Sequence, residues 1–267
     1  MKKVICCSLM LAVIFAASAS AEVVGSLNIS NAGEKYIADY KASLLAQLLD
    51  KDYKVEGSSV KFYDSLLLMQ MALSKGEIEV ITAPENVGEF MLRNNPRLKL
   101  RGFMISKNPT AVAFGFLEEK KDLRDKFSKA VEDMEREGVI GILARDFITG
   151  PSSINPPAVE IAKFDDAETI NVAITGDQPP LDYIAEDGTP AGFNVAMLAE
   201  IGRRLHVNIR PVIVETSSRA IALKSGRADV VFWFQVFEGY DKQPDVPEGV
   251  IVSTPYYGWN KAMLIGR

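Results

Sequence analysis

Ala72-Leu73-Ser74-Lys75-Gly76-Glu77-Ile78-Glu79-Val80-Ile81 and Ala222-Leu223-Lys224-Ser225-Gly226-Arg227-Ala228-Asp229-Val230-Val231 follow the same pattern in the two halves of the chain: helix end, glycine, buried strand. Glycine after the last apolar-periodic residue marks a helix C-terminus, because it enters the left-handed conformation without the penalty of a Cβ. The apolar runs that follow suit strands covered on both faces, as in parallel sheets flanked by helices. Such a junction is common to many α/β folds. The helix and strand that precede it in both halves make it the mark of two similarly wound lobes.

Working outward in the C-terminal half, Ile170 to Ile174 reads as a strand and Asp187-Gly188 as a hairpin turn. Asn194 is expected to cap a helix with Val195, Leu198, Ile201 and Leu205 on one face, before a strand at 210–214. Ser217 or Ser218 opens the next helix, Gly226 ends it, and Ala228 to Phe234 is a strand. The N-terminal half repeats the order: strand 26–30, helix 34–49, strand 60–63, a helix from an Asp64 cap to Ser74, strand 78–82, and a helix with Pro84 in its first turn. The fold class that follows is α/β, two-lobed, each lobe a mainly parallel sheet flanked by helices. Ligands of such sheets bind beyond the carboxyl ends of the strands, and two facing lobes make a cleft there.

The chain has 267 residues, 48% hydrophobic and 24% charged, enough for two lobes and too polar for a multi-span membrane protein. Met1-Lys2-Lys3, an apolar run from Val4 to Ala17 and Ala19-Ser20-Ala21 read as a secretory signal peptide over 1–21. Both cysteines, Cys6 and Cys7, fall within it, so disulfides, cysteine nucleophiles and cysteine-ligated metals are not expected of the mature chain. Two of the 30 basic residues also fall there, against 35 acidic residues that all follow it. An acidic mature chain disfavours a nucleic-acid partner, which requires a basic face. The single histidine, His206, ends a helix beside Arg203 and Arg204, a position that answers the helix dipole. No metal and no cofactor are expected.

Gly150-Pro151-Ser152-Ser153-Ile154-Asn155-Pro156-Pro157 interrupts the alternation of helix and strand, and 151–168 reads as a semi-rigid linker. Before it, 121–137 is a charged amphipathic helix, Gly138 breaks it, and Val139 to Phe147 forms a short second helix.

With these pieces in place, the sequence resembles the bacterial extracellular solute-binding proteins of family 3. Val172 to Tyr183, Asp187-Gly188, Gly192-Phe193-Asn194-Val195, Ser225 to Val230 and Ser253-Thr254-Pro255-Tyr256-Tyr257 are similar to signatures of that family's first lobe. Ser30-Asn31-Ala32-Gly33, Gly76 to Val80, Asn95 to Lys99, Asp122 to Lys126 and Glu137-Gly138 are similar to its second lobe and terminal helices. The second lobe thus stands before the first, and the resemblance implies a circular permutation of a type II periplasmic-binding-protein fold. The expected parts are a second-lobe-like domain over 22–108, the return crossing and terminal helices over 109–150, the linker over 151–168 and a first-lobe-like domain over 169–267. One interlobe crossing, near Phe103 to Val112, is expected whole and the other severed, between Met263-Leu264-Ile265 and Val23-Val24. A tandem fusion of two half-receptors is the competing account.

The resemblance implies a periplasmic monomer that closes on a small-molecule ligand and passes it to an ABC-type membrane permease. The family's ligand clamp is altered. Its arginine position falls on Asp241, its second-lobe aspartate on Pro84 beside Glu85, and an expected aromatic on Gln178. The expected ligand-binding residues are Asn31, Gly33, Glu85, Asp177, Gln178, Tyr183, Trp233, Phe234, Gln235 and Asp241. Aromatic surface, neutral amides and acidic groups together suit a polar or cationic, partly apolar ligand. For each, a plainer account stands beside that one: Trp233 and Phe234 as core of a buried strand, Glu85 as an answer to a helix dipole, Asn31 and Gly33 as a structural turn. Alternatives of function are a ligand-sensing accessory protein and a periplasmic enzyme similar to cyclohexadienyl dehydratases, which needs cations for substrate carboxylates and a placed acid or base.

Overall fold

The computed structural model describes residues 22–27, 58–237 and 243–267, with 106–108 described by their backbone alone. The expected signal peptide, the expected helix 34–49, and Asn31, Gly33 and Asp241 lie outside the described residues.

In chain order the strands are β1 (Val23–Leu27), β2 (Ser59–Tyr63), β3 (Val80–Pro84), β4 (Lys99–Leu117), β5 (Thr169–Ile174), β6 (Asp177–Gln178), β7 (Asp182–Ile184), β8 (Pro190–Ala191), β9 (Asn208–Ile213), β10 (Val230–Phe237), β11 (Val250–Val252) and β12 (Tyr257–Gly266). The helices are α1 (Leu66–Lys75), α2 (Glu85–Asn94), α3 (Lys121–Arg136), α4 (Val139–Ala144), α5 (Phe193–Leu205) and α6 (Arg219–Lys224). One sheet runs through the molecule in the order β2-β1-β3-β12-β4-β10-β5-β9, with β11 beside β4, and β6-β7-β8 form a small second sheet. The main sheet is parallel at both ends, where β1 pairs with β2 and β3, and β5 with β9 and β10. In the middle it is antiparallel, through β12 with β3 and β4, and β4 with β10. The parallel ends are the two expected α/β lobes.

The two glycine stops are observed as read. Gly76 and Gly226 adopt φ of 76° and 71°. The N–H of Glu77 closes on the Ala72 carbonyl at 2.9 Å, and that of Ala228 on the Ala222 carbonyl at 3.0 Å. Both bonds occupy carbonyls that a helix end leaves without internal partners. Ser65, rather than Asp64, caps α1, its Oγ accepting the Leu68 N–H. Asn194 lies inside α5, after Gly192, and its buried side chain does not cap the helix. His206 caps the C-terminus of α5 at φ 52° and sets its ring 4.3 Å from that of Phe164.

β4 is the expected crossing: one end pairs with β12 between Lys99 and Ile105, the other with β10 and β11 between Thr110 and Leu117. The second crossing is not severed. β12 also runs whole, from Tyr257 opposite Val112 to Gly266 opposite Lys99. Residues 262–266, expected in the C-terminal lobe, complete the sheet of the N-terminal lobe by lying between β3 and β4. Apolar burial explains why: Met263, Leu264 and Ile265 are all nearly inaccessible there. Two continuous strands, β4 and β12, therefore join the lobes.

After β4, α3 and α4 pack against α5 of the C-terminal lobe. Phe127 meets the rings of Phe114 and Phe116 edge-on at 5.3 and 5.2 Å, an arrangement that aromatic quadrupoles favour. Residues 145–149 widen into a π-helical turn instead of continuing α4. The following extended segment is held by Asn208, whose side chain receives the Phe164 N–H and donates to the carbonyls of Phe164 and Ala167.

Candidate functional site

β3 ends at Pro84 and leads into Glu85, β5 ends at Ile174 and leads into Asp177, and β2 ends at Tyr63 just before α1. The carboxyl ends of the two parallel strand groups face each other, and one hydrogen bond shows it: the Leu66 N–H of α1 donates to Asp177 Oδ2 at 2.9 Å. In such sheets this is where ligands bind.

Asp177 and Gln178 form one strand of the small hairpin sheet, opposite Tyr183 and Asp182. Burial pushes the Asp177 carboxyl up, and the charge of Glu215 adds to it. Its Oδ1 has no partner among the described residues, nor has Gln178 Nε2. Asp182, which the sequence did not single out, is buried beneath the hairpin, and its Oδ2 accepts from the Thr175 N–H, the Thr175 hydroxyl and the Gly176 N–H at 3.1, 2.9 and 2.5 Å. Loss of solvation outweighs those three donors and pushes its carboxyl up to about 7. Burial also raises the phenol of the half-buried Tyr183.

β10 departs from strict alternation. Val231 lies opposite Gly115 and Phe234 opposite Ala113, so three steps on β10 match two on β4, a β-bulge. Phe234, expected at the cleft, is consequently fully buried in a core cluster with Ala173, Val214 and Leu223. Its ring fills the space a Cβ on residue 115 would take, which would come within 2.3 Å of Phe234 Cδ2. Trp233 is 6% exposed, and the guanidinium of Arg219 lies 3.7 Å from its ring centre. Trp233 is therefore mostly core, not an open aromatic platform. Arg219 Nη1 donates to the Trp233 carbonyl at 2.6 Å, and Nη2 reaches both oxygens of Asp245 at 3.0 and 3.2 Å. Asp245 also receives the Gln235 N–H at 2.8 Å, so this buried pair fixes the bulge and the start of the following loop. Burial lowers the Arg219 pKa from its ordinary value, opposed by Asp245.

Glu85, expected to present negative charge, is paired with Lys261 of β12 at 2.5 Å, and the same ammonium sits 3.9 Å above the Phe103 ring. The structure thus gathers Asp177, Gln178 and Tyr183 on the hairpin and places Glu85 on the facing lobe beside the crossing strands. It assigns Trp233 and Phe234 mainly to packing. The pairs Arg219–Asp245 and Glu85–Lys261 join residues far apart in the chain, and no local motif announces them. Among the described residues no group of three or more His, Cys, Asp or Glu could hold a metal ion, and no helix is long and apolar enough to cross a membrane. A separate depression of about 590 Å³ lies between α3 and α5, lined by Lys126, Lys129, Asp133 and Arg204 among others. Its charges already pair with neighbours, Lys129 with Asp133 and Arg204 with Glu137.

Two lobes joined by two crossing strands, with strand carboxyl ends facing, define the architecture of a type II periplasmic binding protein. Residues 170–265 match the sequence model of bacterial extracellular solute-binding proteins, family 3. No curated protein matches the chain. Among solved structures, it is similar to the periplasmic aliphatic sulphonate binding protein SsuA from Escherichia coli, at 14% identity and a TM-score of 0.42, over 92% of this chain and 65% of that one. It is also similar to a periplasmic binding protein of an ABC transporter from Brucella ovis with glutathione bound, at 14% identity and a TM-score of 0.46, over 92% of this chain and 62% of that one. A third is the GluR0 ligand binding core in complex with L-glutamate, at 10% identity and a TM-score of 0.41, over 92% and 84% of the two chains. The chain spans less than two thirds of the length of the first two.

Proposed function

We propose that this protein is a non-enzymatic solute receptor of the periplasm or extracellular space, which closes its two lobes on a small polar ligand and delivers it to an ABC-type importer. The observation that carries this reading is the facing of the strand carboxyl ends across two crossing strands, with Asp177 reaching Leu66 from one lobe to the other. The ligand is a hydrogen-bond donor, neutral or cationic. Asp177 and Asp182 each have a buried oxygen without a partner among the described residues, while the cations Lys261 and Arg219 are engaged by Glu85 and Asp245. A substrate with several carboxylates would find those cations already paired, which speaks against the dehydratase alternative.

The same reading includes a permuted chain order. The strand that begins at Val23 and the strand that ends at Gly266 flank Glu79 and Val80 on opposite sides, which is what joining them into one continuous receptor sequence requires.

A thermal-shift screen of amino acids, polyamines, quaternary amines and sugars tests the receptor reading. One amine-bearing class is expected to raise Tm with concentration, as mass action demands of a ligand that binds only the folded state. Turnover of prephenate or arogenate by the same preparation would replace the receptor reading with an enzymatic one.

A further inference from the structure

We propose that the hydrogen bond from the Leu66 N–H to Asp177 is an interlobe latch, by which a carboxylate of the C-terminal lobe holds the N-terminal lobe closed. This stands apart from the identity of any ligand. The first N–H groups of a helix have no partner within it. In α1 the Ser65 hydroxyl provides for Leu68, and the acceptor for Leu66 comes from a residue 111 positions away, in the other lobe. The bond joins opposite signs: a carboxylate meets the positive end of a ten-residue helix.

The position of Asp177 makes the bond consequential. It lies on a two-residue strand of the hairpin sheet, not on the crossing strands, so this contact is made only when the lobes come together. Its carboxylate is drawn out of water beside Asp182 and Glu215, an arrangement that is unfavourable unless the α1 terminus answers it. An open form returns Asp177 to solvent and gives up the Leu66 bond. A closed form is therefore held by a bond within the chain through Asp177 Oδ2, while Oδ1, without a partner among the described residues, stays available to a ligand in the closed cleft.

The test uses pulsed electron spin resonance distances between nitroxides at Ser74→Cys on α1 and Glu186→Cys on the hairpin, in the mature chain without added ligand. The unaltered background is expected to give one short distance. Asp177→Ala is expected to move the distribution to longer distances by several ångströms. Leu66→Pro removes the same N–H from the opposite lobe at the first helical position, where proline is tolerated. It should produce the same shift, with the double variant adding nothing further. Asp177→Asn retains an acceptor without the charge and should shift the distribution part of the way, which keeps the test open should Leu66→Pro fail to fold. Asp187→Ala, in the hairpin turn and bonded there to Thr189, should leave the distribution unchanged. Unchanged distances in Asp177→Ala, or a shift as large in Asp187→Ala, would overturn the latch.

Discussion

Glu79 grips Val23 through both halves of its backbone: the Glu79 N–H donates to the Val23 carbonyl at 3.0 Å, and Glu79 Oε2 accepts the Val23 N–H at 2.6 Å. In the other lobe Asp229 does the same to Asn171, with its N–H on the Asn171 carbonyl at 2.8 Å and Oδ2 on the Asn171 N–H at 2.9 Å. The two acids hold equivalent places in the repeated phrase, three residues after Gly76 and Gly226. Each pins the neighbouring parallel strand beside the start of its own, Val23 as the first residue of β1 and Asn171 as the third of β5. Glu79→Ala and Asp229→Ala should each lower stability by about 1–2 kcal/mol, as for a charge-assisted hydrogen bond near the surface. Urea unfolding followed by circular dichroism checks this, and amide exchange at Val23 and Asn171 should quicken in the matching variant only.

Gly115 is fixed by close approach rather than by its backbone angles, since the Phe234 ring occupies the space of its missing Cβ. Gly115→Ala should cost about 1–3 kcal/mol through overpacking at the centre of the sheet. Adding Phe234→Leu should recover part of the loss, a coupling that a double-mutant cycle on unfolding free energies measures directly.

Asp182 gives the protein a defined pH dependence. Its folded-state value, about 7, lies above the ordinary 3.8, so between these limits the folded form binds the extra proton. Its contribution is then fully present below about pH 4 and is lost as pH rises through 7. Unfolding midpoints should fall from pH 5 to pH 8, with a change of a few kcal/mol assignable to this group. Asp182→Asn should flatten that part of the profile, since the amide keeps an acceptor for Thr175 and Gly176 and has no proton to lose.

The fold was legible because its signals are local. Gly76 and Gly226 stop helices through their own left-handed conformations, and the apolar runs after them are buried as their composition demands. The site was legible in part. Asp177 and Gln178 stand next to a readable hairpin, whereas Phe234, counted onto the cleft from the family resemblance, lies past a one-residue bulge that turns its ring into the core. The partner of Glu85 is Lys261, 176 residues away, and a pairing at that range is decided by tertiary geometry.

Arg219 and Asp245 set the last expectation, because both are almost wholly inaccessible and each has several partners. Removing one member leaves a buried charge unanswered, so Arg219→Met or Asp245→Leu alone should cost about 3–5 kcal/mol. The double change should cost less than either, since apolar groups of similar size need no counter-charge. The asymmetry between the partners is informative. Asp245 alone receives the Gln235 N–H, so Asp245→Asn, which retains an acceptor oxygen, should preserve the bulge of β10 better than Asp245→Leu. Tryptophan fluorescence in a Trp259→Phe background reports this locally, because Trp233 is then the one indole and lies under the guanidinium. Its emission should shift in Arg219→Met and stay nearer the original in Asp245→Asn, and equal shifts in both would mean that the pair does not hold the strand as described.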